Sequence, residues 1–356
     1  TGPGGINTLN GIFGAYTDSI PIIVISGQVK TETCMASYPK LEVRQLGDQE
    51  VDIISMVKGI TKYAKIIRSA KDLEKELPKA YYLAITGRPG PVWLDIPINI
   101  QSEKIKLNFK NPSTEKLFNK KFAKKQIKEL SNSLTNAKRP IILAGTGVRL
   151  SKSIDDLRVL IEQFQIPVTT SWTHDLIESA HPLFVGRPGT IGTRPGNFAI
   201  QNADLVIVIG SRLNIRQISY NFKSFAKNAN VYHVDIDKNE LKKPLYSADN
   251  KIHSDIKFFI NEFINSLKLL NFKKTPKDWI LLCNKIKKDF DVMNENFVID
   301  KKLLNPYIAV NDIFQHSKPN DIFVSANASA CIIPFQVARL KKNQRLFSNS
   351  GSASMG

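Results

Sequence analysis

Short, unbroken apolar runs recur along the chain, each closed by glycine or polar residues. They are PIIVISG at 21–27, PVWLDIP at 91–97, RPIILAG at 139–145, IPVTTS at 166–171, ADLVIVIG at 203–210 and NVYHVDID at 230–237. Continuous apolar character, in place of strict alternation, marks strands covered on both faces, as in a parallel sheet. Helical patterns lie between and beyond them, over 50–62, 71–86, 152–164, 277–290 and 308–315. The pattern predicts an α/β protein made of consecutive parallel-sheet units. Polar stretches separate those units: a Lys/Asn-rich linker over 105–127 and a second break around Pro276. The expected division is 1–104, then 128–268, then 269–356, the last including a strand within DIFVSAN (321–327). In open parallel sheets ligands bind beyond the carboxyl ends of the strands, so the polar residues there are the candidates for function.

Composition narrows the class without naming a function. The chain has 356 residues, 42% hydrophobic and 23% charged, which describes an ordinary globular protein. Its apolar runs of six or seven residues are far too short to cross a bilayer, and no signal-peptide pattern is present. Cys34, Cys283 and Cys331 are odd in number and far apart, which points to a reducing cytoplasm and to neither a disulfide framework nor metal-ligand spacing. His174, His181, His233, His253 and His316 lack any HxxxH or HxxE spacing, so no metal site is expected among them. His233 reads as a packed neighbour. The net charge of +18 raises nucleic-acid binding as a reading. However, the densest basic run, residues 106–130, mixes Lys with Asn, Ser and Thr and carries no recognised nucleic-acid motif. A Lys-rich solvated surface accounts for it, and the expected partner is a small molecule, with neither nucleic acid nor membrane.

The chemistry-bearing stretches are collinear. TGPGG at 1–5 reads as a tight turn feeding a helix, where absent Cβ atoms let a ligand ring approach the backbone. GQV (27–29), DQE (48–50) and GRPGPVWLDIP (87–97) follow it. At the other end, SNSGSASMG also falls in a Gly/Ser-rich turn. Both ends resting on the lip of a site suggest an internal piece of a longer enzyme.

Together these residues resemble the thiamine diphosphate enzymes of the acetolactate synthase type. The resemblance rests on Gly2-Pro3-Gly4, Asn7, Asp18-Ser19, Gly27-Gln28, Gln49-Glu50, Thr61-Lys62 and Gly87-Arg88-Pro89-Gly90-Pro91. It extends over essentially the whole chain and implies three domains: pyrimidine-binding, central Rossmann-like and diphosphate-binding, the first and last incomplete. It implies cofactor contacts from Gly2, Pro3, Gly4, Asn7 and Gln28, and a catalytic-site role for Gln49 facing the thiazolium.

In the central unit, VGRPGTIGTRPGNFAIQNADLVIVIGSRLNIR (185–216) is similar to the family's FAD-carrying segment. Gly189, Gly192 and Thr193 are candidates for a phosphate-binding nest. Arg88 and Arg216 match family arginines near the flavin nucleotide, and Asp235 is a candidate acceptor for a ribose or adenosine donor. The family's Phe-Asp-Asp is Leu213-Asn214-Ile215 here. A flavin-free version of the same domain therefore stays open beside FAD. In the third unit, Asn327, Ala328 and Ser329 fall where the family contacts its cofactor, with Ala330-Cys331 in place of Gln-His. Ala353 and Met355 match positions that hold the aminopyrimidine and wedge the cofactor into its bent form.

The resemblance implies decarboxylation of pyruvate and transfer of its two-carbon unit to a second 2-keto acid. It places the activating glutamate before Thr1 and the Mg²⁺-binding segment after Gly356, so that this piece alone is expected to be inactive. Asp48, Ile98 and Ala330-Cys331 depart from the family pattern and suggest a different substrate pocket. A nucleotide-linked keto-sugar acceptor, simple decarboxylation, and a non-catalytic nucleotide-binding chain are the alternatives. A homodimer or homotetramer is expected, with a small regulatory subunit as a further partner.

Overall fold

The computed structural model describes residues 2–171, 175–298, 302–348 and 351–353. Contacts group the chain into two compact units, 1–115 with 349–356, and 116–348.

The first unit is built on a three-stranded parallel sheet. Helices α1 (Gly2–Asn7) and α2 (Leu9–Thr17) precede β1 (Ile23–Gln28); α3 (Ile53–Val57) precedes β2 (Tyr63–Ile66). Helix α4 (Leu73–Ile85) then leads to β3 (Val92–Pro97) and the short α5 (Ile98–Gln101). The strand order is β1-β3-β2, with Ser26 beside Asp95 and Ala64 beside Trp93. Because β3 is central, both of its faces are covered. Val92 and Leu94 pack with Ile67, Ala80 and Ala84, while Trp93 points the other way onto Ile12, Ile53 and Val57. The Gly-Pro-Gly stretch, expected as a turn, is the opening of α1 itself. Pro3 is tolerated there because first-turn N–H groups have no intrahelical acceptor to lose.

The second unit opens with α6 (Lys120–Asn136), which begins inside the stretch expected as a linker. Its lysines face solvent, while Ala123, Ile127, Leu130 and Leu134 form the buried stripe of an amphipathic helix. There follow β4 (Pro140–Ala144), α7 (Thr146–Leu150), α8 (Ile154–Phe164), β5 (Val168–Thr170) and β6 (Phe184–Gly186). Next come α9 (Arg194–Asn202), β7 (Leu205–Ile209), α10 (Ile215–Ile218), β8 (Asn230–Asp235), β9 (Asn250–His253) and α11 (Ile256–Leu269). The six strands are parallel in the order β6-β5-β4-β7-β8-β9. The chain thus winds outward from β4 and restarts at β7, the doubly wound arrangement whose switch point lies between those strands. Ile142, Ala144 and Ile207 pack with α6, α8 and α11 on one face; Ile141, Leu143 and Val206 pack with α9 on the other. At the switch point the backbones nearly touch. A Cβ built on Gly145 would lie 2.4 Å from the Gly210 carbonyl oxygen, and Gly210 itself has φ of +59°.

Helices α12 (Lys277–Asp289) and α13 (Pro306–His316) lead to β10 (Ile322–Ser325), α14 (Ser329–Val337) and β11 (Arg345–Ser348). Strands β10 and β11 form a parallel pair with Phe323 beside Leu346. This third sheet is not set apart from the second, because Asp175 ties the two. One Asp175 oxygen accepts from Arg149 at 2.8 Å, and the other accepts from Arg345 Nε at 2.8 Å and the Leu346 N–H at 2.7 Å. Ser179 adds a second tie, accepting from the Leu340 N–H and donating to the Ala338 carbonyl. Among the described residues no helix is long and apolar enough to cross a membrane.

Candidate functional site

At the carboxyl end of β1 the structure brings three segments of the first unit together. Gln28 is 3% exposed, and its amide nitrogen donates to the Val51 carbonyl (3.0 Å) and to Asp95 Oδ2 (2.9 Å). Its amide oxygen accepts the Val29 N–H at 3.0 Å. Asp95 Oδ1 takes the Ser26 hydroxyl at 2.5 Å, and Ser26 Oγ in turn accepts the Trp93 indole N–H at 2.7 Å. Burial pushes the Asp95 carboxyl above the usual carboxylate range, opposed by the hydrogen bonds from Ser26 and Gln28. The amide of Gln28, expected to contact a cofactor, is therefore spent in clamping β1 to β3 and to the 49–51 loop. Gln28 thus serves the scaffold in this structure.

The 49–51 loop meets the helix start closely. A Cβ on Gly2 would stand 2.3 Å from the Gln49 carbonyl oxygen and 2.7 Å from Val51, so only glycine fits. Gln49 has φ of +58° and an exposed side chain. The turn that supports it is organised by Glu50, 4% exposed, whose carboxylate accepts the N–H groups of Met35 (2.6 Å), Leu46 (3.3 Å) and Gly47 (3.0 Å). Pro3, Gly4 and Asn7 are exposed on α1, and a Cβ added to Gly4 would meet no atom within 4 Å. The helix thus carries an open glycine backbone and an exposed amide at Asn7, and the loop packed against its first residue carries a second exposed amide at Gln49.

Arg88 donates from Nε to the Ser19 hydroxyl at 2.8 Å within this unit. Gly351 stands against α2, since its Cβ would come 2.2 Å from Asp18 Oδ1. Ala353, with φ of +51°, belongs to the same unit, and Met355 lies outside the described residues.

The glycine loop of the second unit differs from expectation. The Gly189 N–H donates to Asn197 Oδ1 (2.8 Å), the Gly192 N–H to the Gly189 carbonyl (3.2 Å) and the Thr193 N–H to the Arg187 carbonyl (2.7 Å). The Thr193 hydroxyl accepts the Arg187 N–H at 2.9 Å. A phosphate nest needs free amides pointing outward, and these are consumed in closing the loop on itself. Arg216 is exposed. Asp235, 8% exposed, accepts the Asp237 N–H at 2.9 Å in a turn that ends β8. This set does not fit a flavin diphosphate through the loop amides. Asn327 is half-buried, while Ala328 (φ +51°) and Ser329 are exposed at the start of α14.

His233 behaves as a packed residue: its Nε2 lies 2.8 Å from the Ser211 carbonyl, and burial pulls it down to about 4. Burial raises the thiols of Cys34 to about 11 and Cys283 to about 12, which leaves neither activated. Among the described residues no group of three His, Cys, Asp or Glu could hold a metal ion. Sequence reasoning missed the work of Ser26, Glu50 and Asp95. Each sits inside a quoted motif, yet its partners lie up to 69 residues away.

The second unit is a doubly wound parallel sheet, and the first is a parallel sheet preceded by a helix that opens on Gly-Pro-Gly. The chain belongs to the thiamine pyrophosphate enzymes: residues 1–56 match the family's N-terminal TPP binding domain and residues 127–263 its central domain. It is similar to the acetolactate synthase large subunit of Lactococcus lactis, at 35% identity over 89% of this chain and 55% of the relative. The corresponding subunit of Buchnera aphidicola from Schizaphis graminum is 31% identical over 100% of this chain and 61% of its own length. A probable acetolactate synthase large subunit of Methanococcus aeolicus is 34% identical over 81% and 49%. The chain therefore spans about half to three fifths of the length of these curated relatives.

Proposed function

We propose that this chain carries the pyrimidine-side and central portions of a thiamine diphosphate-dependent carboligase of the acetolactate synthase type. In this reading the enzyme decarboxylates pyruvate and joins the two-carbon unit to a second 2-keto acid. The observation that carries it is the close packing of the buried Gly2 backbone against the loop that presents exposed Gln49, within a collinear family match. The open α-carbon of Gly4 lets a planar ring lie against the backbone, and the amides of Asn7 and Gln49 supply orienting hydrogen bonds. Thiamine diphosphate, when bound, supplies the electron sink for decarboxylation. The protein's part is orientation: the Gln28–Asp95 clamp and the Glu50 turn hold Gln49 in position against its positive φ.

The reading assigns Mg²⁺ no ligand among the described residues and no step to FAD. It includes a homodimer in a reducing cytoplasm; exposed Ile6, Phe13, Tyr16 and Ile25 on the first unit support a covered surface there.

The test is full-length protein with pyruvate, thiamine diphosphate and Mg²⁺, assayed for CO₂ and acetolactate. Protein that neither binds thiamine diphosphate by calorimetry nor consumes pyruvate would overturn the reading. Replacement Gln49→Ala should cut turnover roughly tenfold or more while leaving the melting temperature nearly unchanged, because the side chain orients and does not pack.

A further inference from the structure

A cavity of about 140 Å³ opens in the second unit between the end of β6, the start of α9 and the end of α12. Its volume is well below the ~300–1,000 Å³ of pockets that take drug-sized ligands. Arg187 lines it, only 2% exposed. Of its guanidinium nitrogens, Nη1 donates to the Phe335 carbonyl at 3.3 Å, whereas Nε and Nη2 have no partner among the described residues. Those two nitrogens form one edge of the guanidinium, with parallel N–H bonds spaced to grip two oxygens of a carboxylate or phosphate.

The surroundings do not supply that oxyanion. Asp175, the carboxylate that acts on Arg187 electrostatically, is committed to Arg149, Arg345 and the Leu346 N–H. Asp291 is taken by Arg339 through two contacts of 2.5 Å, and Glu295 by Arg194 at 2.6 Å. The lining therefore holds four cations (Arg187, Arg194, Lys287, Arg339) against two carboxylates (Asp291, Glu295), a formal excess of two positive charges. Phe184 offers its ring to both Arg187 (5.3 Å) and Lys287 (5.6 Å), a weak substitute for a counter-ion. Burial lowers Arg187 only to about 10, so it stays charged at neutral pH. A buried charge without a partner is costly, and an anion held in the fork would offset that cost.

We propose that this cavity is a binding site for one small oxyanion, a carboxylate or inorganic phosphate, held by the Nε/Nη2 edge of Arg187 with Lys287 beside it. The assignment is independent of the carboligase reading, since none of its residues belongs to α1 or to the 49–51 loop.

The test is isothermal calorimetry on intact protein at constant ionic strength, with phosphate in one arm, acetate in a second and chloride as reference. Saturable 1:1 binding of either oxyanion, weakened roughly tenfold or more by Arg187→Met, is expected; the arm that binds tells which anion class the site takes. Absence of saturable binding in both arms, or equal binding by Arg187→Met, overturns the proposal. Arg187→Met should also melt no lower than the unsubstituted protein in chloride, because it removes an unpaired charge. Should that variant fail to fold, Lys287→Gln keeps the fork and is expected to weaken binding several-fold; unchanged affinity there counts against the site.

Discussion

In the six-stranded sheet every residue of β4 and β7 is buried, whereas in the three-stranded sheet β1 buries Gln28 alone among its six residues. The two strand types read alike as sequence, PIILA against IVISGQ, and both are parallel. The difference lies in their neighbours. β4 and β7 sit mid-sheet with helices on both faces, while among the described residues β1 pairs with β3 alone and leaves Ile25 60% exposed. Burial is thus concentrated in the second unit, and Gln49 belongs to a unit whose strand β1 is the less covered among the described residues.

Three measurements sharpen or break that contrast. Phe263→Ala in α11, at 0% exposure, should cost ~3–5 kcal/mol and slow-exchanging amides of the six-stranded sheet should lose protection. A smaller loss would mean that the second unit is less closed than its burial implies.

His233 adds a pH dependence to the same unit. Its folded value of about 4 lies below the ordinary 6.5, so the unfolded chain binds the extra proton first. Its contribution is fully present above pH 6.5 and is lost as pH falls toward 4, by up to ~3 kcal/mol. Urea midpoints at pH 7 and 4.5 check this, and His233→Asn should flatten the slope.

The smallest effect is expected at Ile25→Ala, within about 0.5 kcal/mol for the isolated chain. If that substitution lowers stability at high protein concentration and not at low, the edge is covered by a second copy.

Much of the frame was legible from sequence. The runs ending at Gly27, Pro97, Gly145 and Gly210 became β1, β3, β4 and β7 because buried parallel strands require continuous apolar residues. Tyr63–Ile66, Phe184–Gly186 and Asn250–His253 escaped because three or four residues, with Lys or His among them in two cases, carry no period. The first two turns of α6 fall in the stretch read as linker because its many lysines hide a clean stripe at three- and four-residue spacing. In the site, glycines were legible as places of close approach, and Gly2 is one. Roles were less so. Gln28 reads as a ligand contact, and its bonds to Val51 and Asp95 were not legible; Arg187 sits one residue beyond β6 within a motif where Gly189, Gly192, Thr193 and Arg216 drew notice and Arg187 did not.

Asp175 holds Arg149, 26 residues before it, and Arg345, 170 residues after it. A ribosome adding ~5–20 residues per second therefore leaves this carboxylate half-matched for roughly 10–30 s before its second guanidinium emerges. Through that interval the newborn six-stranded sheet presents an acidic socket, and β11 arrives later carrying the positive plug.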